Sequence, residues 1–225
     1  FEKHEKAAVL HDFIDKSISS GASWSDYYML YHYVIEIKPR KIIEFGSGVS
    51  SVVLALAAEE LAGSESGPHI DSMESDRKYL DNLKSIFPET LSPYVTFHYS
   101  PNVFMKFNEN FMISRYENLP EGRFDMAFVD GPPANNYCCG DVLALVERGN
   151  DGLDVITDRR KATVETLNRM FPEGMVRYDY ARNLGVGKSL TKSQMLGEKP
   201  RLEMRPQHED AFAFFGIPEH PESNS

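Results

Sequence analysis

The stretch from residue 41 to residue 61 constrains this chain more than any other. Lys41 to Phe45 is a short, mostly apolar run of strand length that ends in Gly46-Ser47-Gly48. From Val52 to Leu61 the chain is apolar at helical density. A buried strand, a glycine turn and a helix in direct succession make the unit of a parallel sheet, because parallel strands need a crossover and a helix is the usual one. Ser50 and Ser51 are the expected caps of that helix, and Gly63 its expected stop.

The unit repeats. Ile70 to Met73 reads as a second strand, Asp76 as an N-cap, and Tyr79, Leu80, Leu83 and Ile86 as the stripe of a helix that Pro88 ends. Further strands are expected over Tyr94 to Tyr99, Phe124 to Val129 and Leu153 to Thr157, with helices over Val142 to Val146 and Val164 to Phe171. Met175 to Tyr180 and Ala211 to Phe215 read as two closing strands. Between them, Ala181 to Asp210 is polar and punctuated by Gly and Pro, the pattern of a long surface excursion that can cover a substrate. Ahead of the first strand, Lys3 to Ile37 reads as two helices broken at Ser20 and Gly21. Val9, Phe13, Ile14 and Ile18 form one stripe and Tyr27, Leu30, Tyr31 and Val34 the other. Alternating strands and helices predict an α/β fold with a mainly parallel sheet.

A chain of 225 residues and 25.5 kDa suits one such domain. Residues 1–38 are expected as a helical layer and residues 39–225 as the α/β domain proper. The net charge of -10 and pI of about 5.2 oppose polyanion binding, since phosphate contacts depend on Lys and Arg, so nucleic acid is not an expected partner. No apolar run approaches the ~20 residues of a membrane span. Cys138 and Cys139 are adjacent and make no disulfide framework, which fits a reducing, cytoplasmic setting. Because the sequence opens at Phe1, a piece of a longer or processed chain is expected.

The chemistry gathers at the carboxyl ends of the expected strands, where doubly wound sheets bind ligands. Gly46, Ser47 and Gly48 let a backbone approach a ligand closely, and the helix opening at Ser50 offers free N–H groups. Glu74, directly after the second strand, can accept both hydroxyls of a ribose, with Ser75 beside it. Together they describe an adenosine site, which NAD enzymes and methyltransferases both build. The third glycine of a dinucleotide fingerprint is missing, since Ser51 stands there, and Glu44 two residues before Gly46 would repel a pyrophosphate yet help hold an ammonium. Leu184-Gly185-Val186-Gly187-Lys188-Ser189 lacks the first glycine of a phosphate loop and reads as a flexible loop. Trp24, Tyr27, Tyr28, Tyr31 and Tyr33 read as core before they read as a ligand roof.

At Glu44-Phe45-Gly46-Ser47-Gly48 the chain resembles the class I methyltransferases, in which an acid-x-Gly-x-Gly turn contacts the methionine half of the cofactor and the acid after the second strand grips the ribose. Phe124-Asp125-Met126-Ala127-Phe128-Val129-Asp130-Gly131-Pro132-Pro133 is similar to the fourth-strand motif of the small-molecule O-methyltransferases within that class. The resemblance implies a Rossmann-like fold, a seven-stranded mixed sheet flanked by helices, with S-adenosyl-L-methionine as cofactor and a small-molecule methyl acceptor. It also implies that Glu44, Gly46, Ser47, Gly48, Ser50, Glu74, Ser75 and Asp130 bind the cofactor. His98 and Ser100 end the strand where the family contacts adenine. Asp130 and Asp158 are the candidate catalytic acids, in that order. In the metal-dependent members, carboxylates at these two places and a following Asn hold a divalent cation. Arg159 stands in place of that Asn, and a guanidinium cannot ligate a metal, so no metal is expected. The alternatives are an NAD-linked oxidoreductase and a non-catalytic domain that binds S-adenosylmethionine or its product.

Overall fold

The computed structural model describes residues 6–18, 24–63, 67–108, 111–131, 140–181 and 184–195. Two helices, α1 (Ala7–Lys16) and α2 (Trp24–Ile37), precede the first strand, β1 (Lys41–Phe45). Then come α3 (Val49–Ala62), β2 (His69–Glu74), α4 (Arg77–Ile86) and β3 (Val95–Tyr99). A hairpin of β4 (Asn102–Asn108) and β5 (Phe111–Tyr116) leads to β6 (Met126–Val129), α5 (Gly140–Glu147) and β7 (Leu153–Asp158). The described chain closes with α6 (Lys161–Met170), β8 (Val176–Asp179) and β9 (Leu184–Leu190).

Seven strands form one mixed sheet in the order β3-β2-β1-β6-β7-β9-β8. β3, β2, β1, β6 and β7 pair in parallel, and β9 enters antiparallel between β7 and β8. The strand direction of growth reverses between β1 and β6, which opens the crevice at their carboxyl ends. Alternation along each strand splits the core in two. Ile42, Ile70, Met126, Phe128 and Ile156 face α1, α2 and α3, with Leu10, Phe13, Tyr27, Leu30, Tyr31 and Val34 in the same cluster. Ile43, Phe45, Met73, Ala127, Val129 and Val155 face α5, α6 and the hairpin. α3 is apolar on every side and buried from Val49 to Ala58, as a helix between sheet and outer helices must be.

The second N-terminal stripe is the buried face of α2, whereas α1 buries Leu10 and Phe13, leaving Val9 and Ile14 partly covered and Ile18 46% exposed. Asp76 caps α4 by accepting from the amides of Lys78 and Tyr79. Three expectations are corrected. Ser50 does not cap α3, which starts at Val49 behind Gly48, and its hydroxyl turns inward to Glu44, whereas the Ser51 hydroxyl accepts from the Gly48 amide as well as donating to Glu44. The hairpin of β4 and β5 fills the crossover from β3 to β6, a segment in which no strand was anticipated. Leu184 to Leu190 is not a loop but the seventh strand, so the expected excursion from 181 is interrupted at once by a core element. A Cβ on Gly185 would lie 2.2 Å from both Thr157 Oγ1 and Val164 Cγ2, so the strand needs glycine, a residue that ordinarily speaks against a strand. Ala211 to Phe215 lies outside the described residues, among which the sheet has seven strands with β9 in it. Among the described residues no helix is long and apolar enough to cross a membrane.

Candidate functional site

Five strand ends converge on the crevice. The turn after β1 is held down by two bonds, the amides of Gly46 and Ser47 donating to the Met73 carbonyl at 3.1 and 3.0 Å. Gly46 sits at φ +97°, and a Cβ there would lie 2.7 Å from the Gly131 nitrogen and 2.8 Å from the Asp130 carbonyl carbon. The first glycine is thus required by the crossing of two loops, those after β1 and β6, as well as by its backbone conformation. Gly48 donates to Ser51 Oγ at 3.0 Å. That leaves Val49 and Ser50 to open α3 with no carbonyl one turn back, which presents their amides at the positive end of the helix dipole.

Glu44 is fully buried, and its carboxylate accepts from Ser50 at 2.6 Å and from Ser51 and Ser72 at 2.5 Å each. Ser47 lies 2.7 Å from Ser72 and extends the same network. Burial pushes the Glu44 carboxyl up to about 7, against the pull of the three hydroxyls. With no exposed surface and its oxygens already engaged, Glu44 does not offer the direct contact to an ammonium that its place in the sequence suggests. The same network occupies the hydroxyls of Ser47 and Ser50, so any contact these residues make with a ligand falls to their backbone.

Glu74 ends β2 almost fully buried, its Oε1 accepting from the amides of Ser75 at 2.7 Å and Asp76 at 2.8 Å. That grip fixes the carboxylate and leaves Oε2 as the oxygen for a ligand hydroxyl. Burial raises its carboxyl above the ordinary range although the two amides oppose the shift. Ser100, after β3, accepts from the Asn118 amide at 2.9 Å and its own amide donates to the Glu74 carbonyl at 3.0 Å. His98 does not face the crevice as a free ligand: its Nε2 lies 2.6 Å from Asp71 Oδ1, and Lys41 Nζ lies 2.9 Å from Asp71 Oδ2. Burial works against the charge on Asp71, yet these contacts hold its carboxyl below the usual range.

Asp130 follows β6, with 37% of its side chain exposed and Arg160 NH2 at 3.2 Å from Oδ1. The same guanidinium donates to the Asp130 carbonyl. Burial, then the charge of Asp158, raises the Asp130 carboxyl to about 6, with Arg160 pulling the other way. Asp158 ends β7 and makes no ion pair among the described residues; burial, then the charge of Asp26, raises its carboxyl, with Arg159 and Arg160 pulling the other way. Arg159, the residue in place of the metal-ligating Asn, pairs with Asp26 at the start of α2, NH2 to Oδ2 at 2.6 Å. Sequence reasoning missed Asp26 and Arg160. Nothing in the spacing ties Asp26 to a residue 133 positions away, and Arg160 was passed over for its neighbour. Among the described residues, no group of three His, Cys, Asp or Glu is arranged to hold a metal ion. The N-terminal aromatics are mainly core, with Tyr27 and Tyr31 buried, Trp24 packed on His11 and Tyr28 exposed beside His32.

No family sequence model matches the chain, and no curated protein sequence matches it. Solved structures do. A methyltransferase from Geobacter sulfurreducens is 14% identical with a TM-score of 0.55, over 85% of this chain and 92% of that one. The cofactor-bound Rv0187 protein from MTB is 16% identical with a TM-score of 0.54, over 83% and 89%. The methyltransferase PaMTH1 of Podospora anserina, bound to S-adenosylhomocysteine, is 18% identical with a TM-score of 0.51. That match covers 68% of this chain, which spans 61% of the Podospora protein's length. The strand order, the crevice at the reversal point and these likenesses agree: the chain has the Rossmann-like fold of the class I methyltransferases.

Proposed function

We propose that this protein is an S-adenosyl-L-methionine-dependent methyltransferase that O-methylates a small molecule. The observation that carries the reading is the convergence on one crevice of the glycine turn, Glu74 and two carboxylates on the neighbouring strand ends, Asp130 and Asp158. The residues fit the cofactor. The amides of Val49 and Ser50 suit its carboxylate, Glu74 with Ser75 its ribose, and the closely crossed Gly46 and Gly131 leave a flat floor between them. Bound there, it would supply an electrophilic methyl group on a sulfonium. Two alternatives are less well supported. The site of a dinucleotide fingerprint's third glycine is filled by Ser51, whose hydroxyl is committed to Glu44, so close approach of a pyrophosphate is not provided for. A purely binding domain has no use for a buried carboxylate raised above its ordinary range beside the crevice.

Asp158 is the better candidate for the base, ahead of Asp130, because Arg160 already holds Asp130 while Asp158 has no ion-pair partner among the described residues. An acceptor hydroxyl would pass its proton to the Asp158 carboxylate, and Asp130, fixed by Arg160, would orient the acceptor. Arg160 against Asp130 and Arg159 against Asp26 put two positive charges beside these acids, which disfavours a cation there and supports transfer without a metal. We treat residues 1–38 as a helical layer and residues 39–225 as the catalytic domain of a single unit, and propose the cytoplasm as its compartment. The test is a titration calorimetry experiment with S-adenosylhomocysteine and NAD, followed by an acceptor panel of phenols, alcohols and amines. Binding of S-adenosylhomocysteine alone supports the reading, and binding of NAD alone removes it.

A further inference from the structure

We propose that Glu44, Ser51 and Ser72 are positioning residues that hold the β1–α3 turn in its cofactor-binding shape from below, without touching the cofactor. The inference rests on the methyltransferase reading and deepens it. Glu44 sits in the last pair but one of the β1–β2 ladder, directly opposite Ser72 on β2. Its Oε2 accepts from Ser72 and Ser51, and its Oε1 from Ser50, so one carboxylate ties two strands to the first turn of α3. Because Ser72 donates to Glu44, the hydroxyl of Ser47 is the donor in the contact between the two serines. Ser51 in turn accepts from the Gly48 amide. Every residue from Ser47 to Ser51 except Val49 therefore has a side-chain or amide group bound to this network.

Three hydroxyls donate to two oxygens, a pattern that the ionised carboxylate satisfies with no proton of its own to place. A protonated Glu44 must itself donate, which reverses one of the three bonds and leaves that serine's own proton to find another acceptor. The groups that face Glu44 are Ser50 and Ser51 from α3, Ser72 from β2 and Ser47 from the turn, with the charge of Asp130 beyond β6 acting on it. The charge of Glu44 in turn acts on the buried Tyr116 phenol of β5. Burial holds the Glu44 carboxyl near 7, so the switch between the two patterns falls in the neutral range.

The experiment is calorimetric titration of S-adenosylhomocysteine into the full chain at pH 6 and pH 8, for the wild type, Glu44→Gln and Ser72→Ala, each checked for folding by circular dichroism. If the ionised form alone binds, the wild type tightens about tenfold from pH 6 to pH 8, because roughly one molecule in ten is ionised a unit below the midpoint. Glu44→Gln should bind more weakly than the wild type at pH 8 and lose the pH dependence. Ser72→Ala, which keeps the acid, should bind several-fold more weakly at pH 8. A Glu44→Gln protein that keeps the wild-type slope would assign the dependence to Asp130 and overturn the proposal, as would unchanged affinity in both variants. A wild type that binds no S-adenosylhomocysteine at either pH overturns the methyltransferase reading itself, and the proposal with it.

Discussion

Glu74 is the residue whose contribution to binding is most directly measurable. In the proposed site its backbone-clamped carboxylate would contribute about 1.5 to 3 kcal/mol to a ribose as a charge-assisted contact, so Glu74→Ala should weaken S-adenosylhomocysteine roughly tenfold or more. Unchanged thermal unfolding alongside that loss would separate binding from folding. The two catalytic candidates are distinguished by their partners. Asp158→Asn should lower kcat far more than it changes cofactor affinity, whereas Asp130→Asn also removes the charge that faces the Arg160 guanidinium and should disturb both. Steady-state kinetics with any accepted substrate checks this, and equal, purely affinity-based losses would remove Asp158 as the base. The activity should also survive EDTA. Loss of turnover on chelation, restored by magnesium, would bring the two carboxylates back as metal ligands.

At the scale of elements, β9 makes the sharpest mechanical prediction. Gly185→Ala places a methyl against Thr157 Oγ1 and Val164 Cγ2, and overpacking of this kind costs about 1 to 3 kcal/mol. Urea denaturation should show that loss, and an unchanged midpoint would mean the strand has more room than its neighbours imply. The same strand marks the limit of what the sequence discloses. β1, β2, β3, β6, β7 and β8 were legible because their apolar runs are short, buried and bounded by turn residues. β9 carries two glycines, Lys188 and Ser189, and its place is decided by contacts with β7 that composition does not reveal. The β4–β5 hairpin stayed hidden for a related reason, since a pair of strands outside the main sheet need not follow its burial pattern. In the site, the glycine turn, Glu74, Asp130 and Asp158 were readable from their positions after strands. The partners that set their chemistry, Ser72, Asp26 and Arg160, were not, because each is supplied by a different part of the chain.

For the whole molecule, burying acids at the carboxyl edge has a cost that depends on pH. Glu44 and Asp130 have carboxyls raised to about 7 and about 6, so the folded state holds protons that the unfolded chain has already released above pH ~4.5. Their contribution is fully present in acid and declines as pH rises through 6 and 7, the fully buried Glu44 alone accounting for roughly 3 kcal/mol. Asp71 runs the other way, its lowered carboxyl contributing above its ordinary value and losing that contribution as pH falls. Chemical denaturation at pH 5 and pH 8 should find Glu44→Gln flatter than the wild type between the two; identical slopes would mean the acid is solvated. One contact described above also limits how the crevice can move. Where Gly46 passes Gly131, backbone meets backbone with no side chain between them, so the cofactor turn and the acid-bearing strand end form a single joint with no slack. Opening and closing of the site must therefore come from what lies over the crevice, not from the sheet parting beneath it. A library that randomises positions 46 and 131 together should return glycine at both.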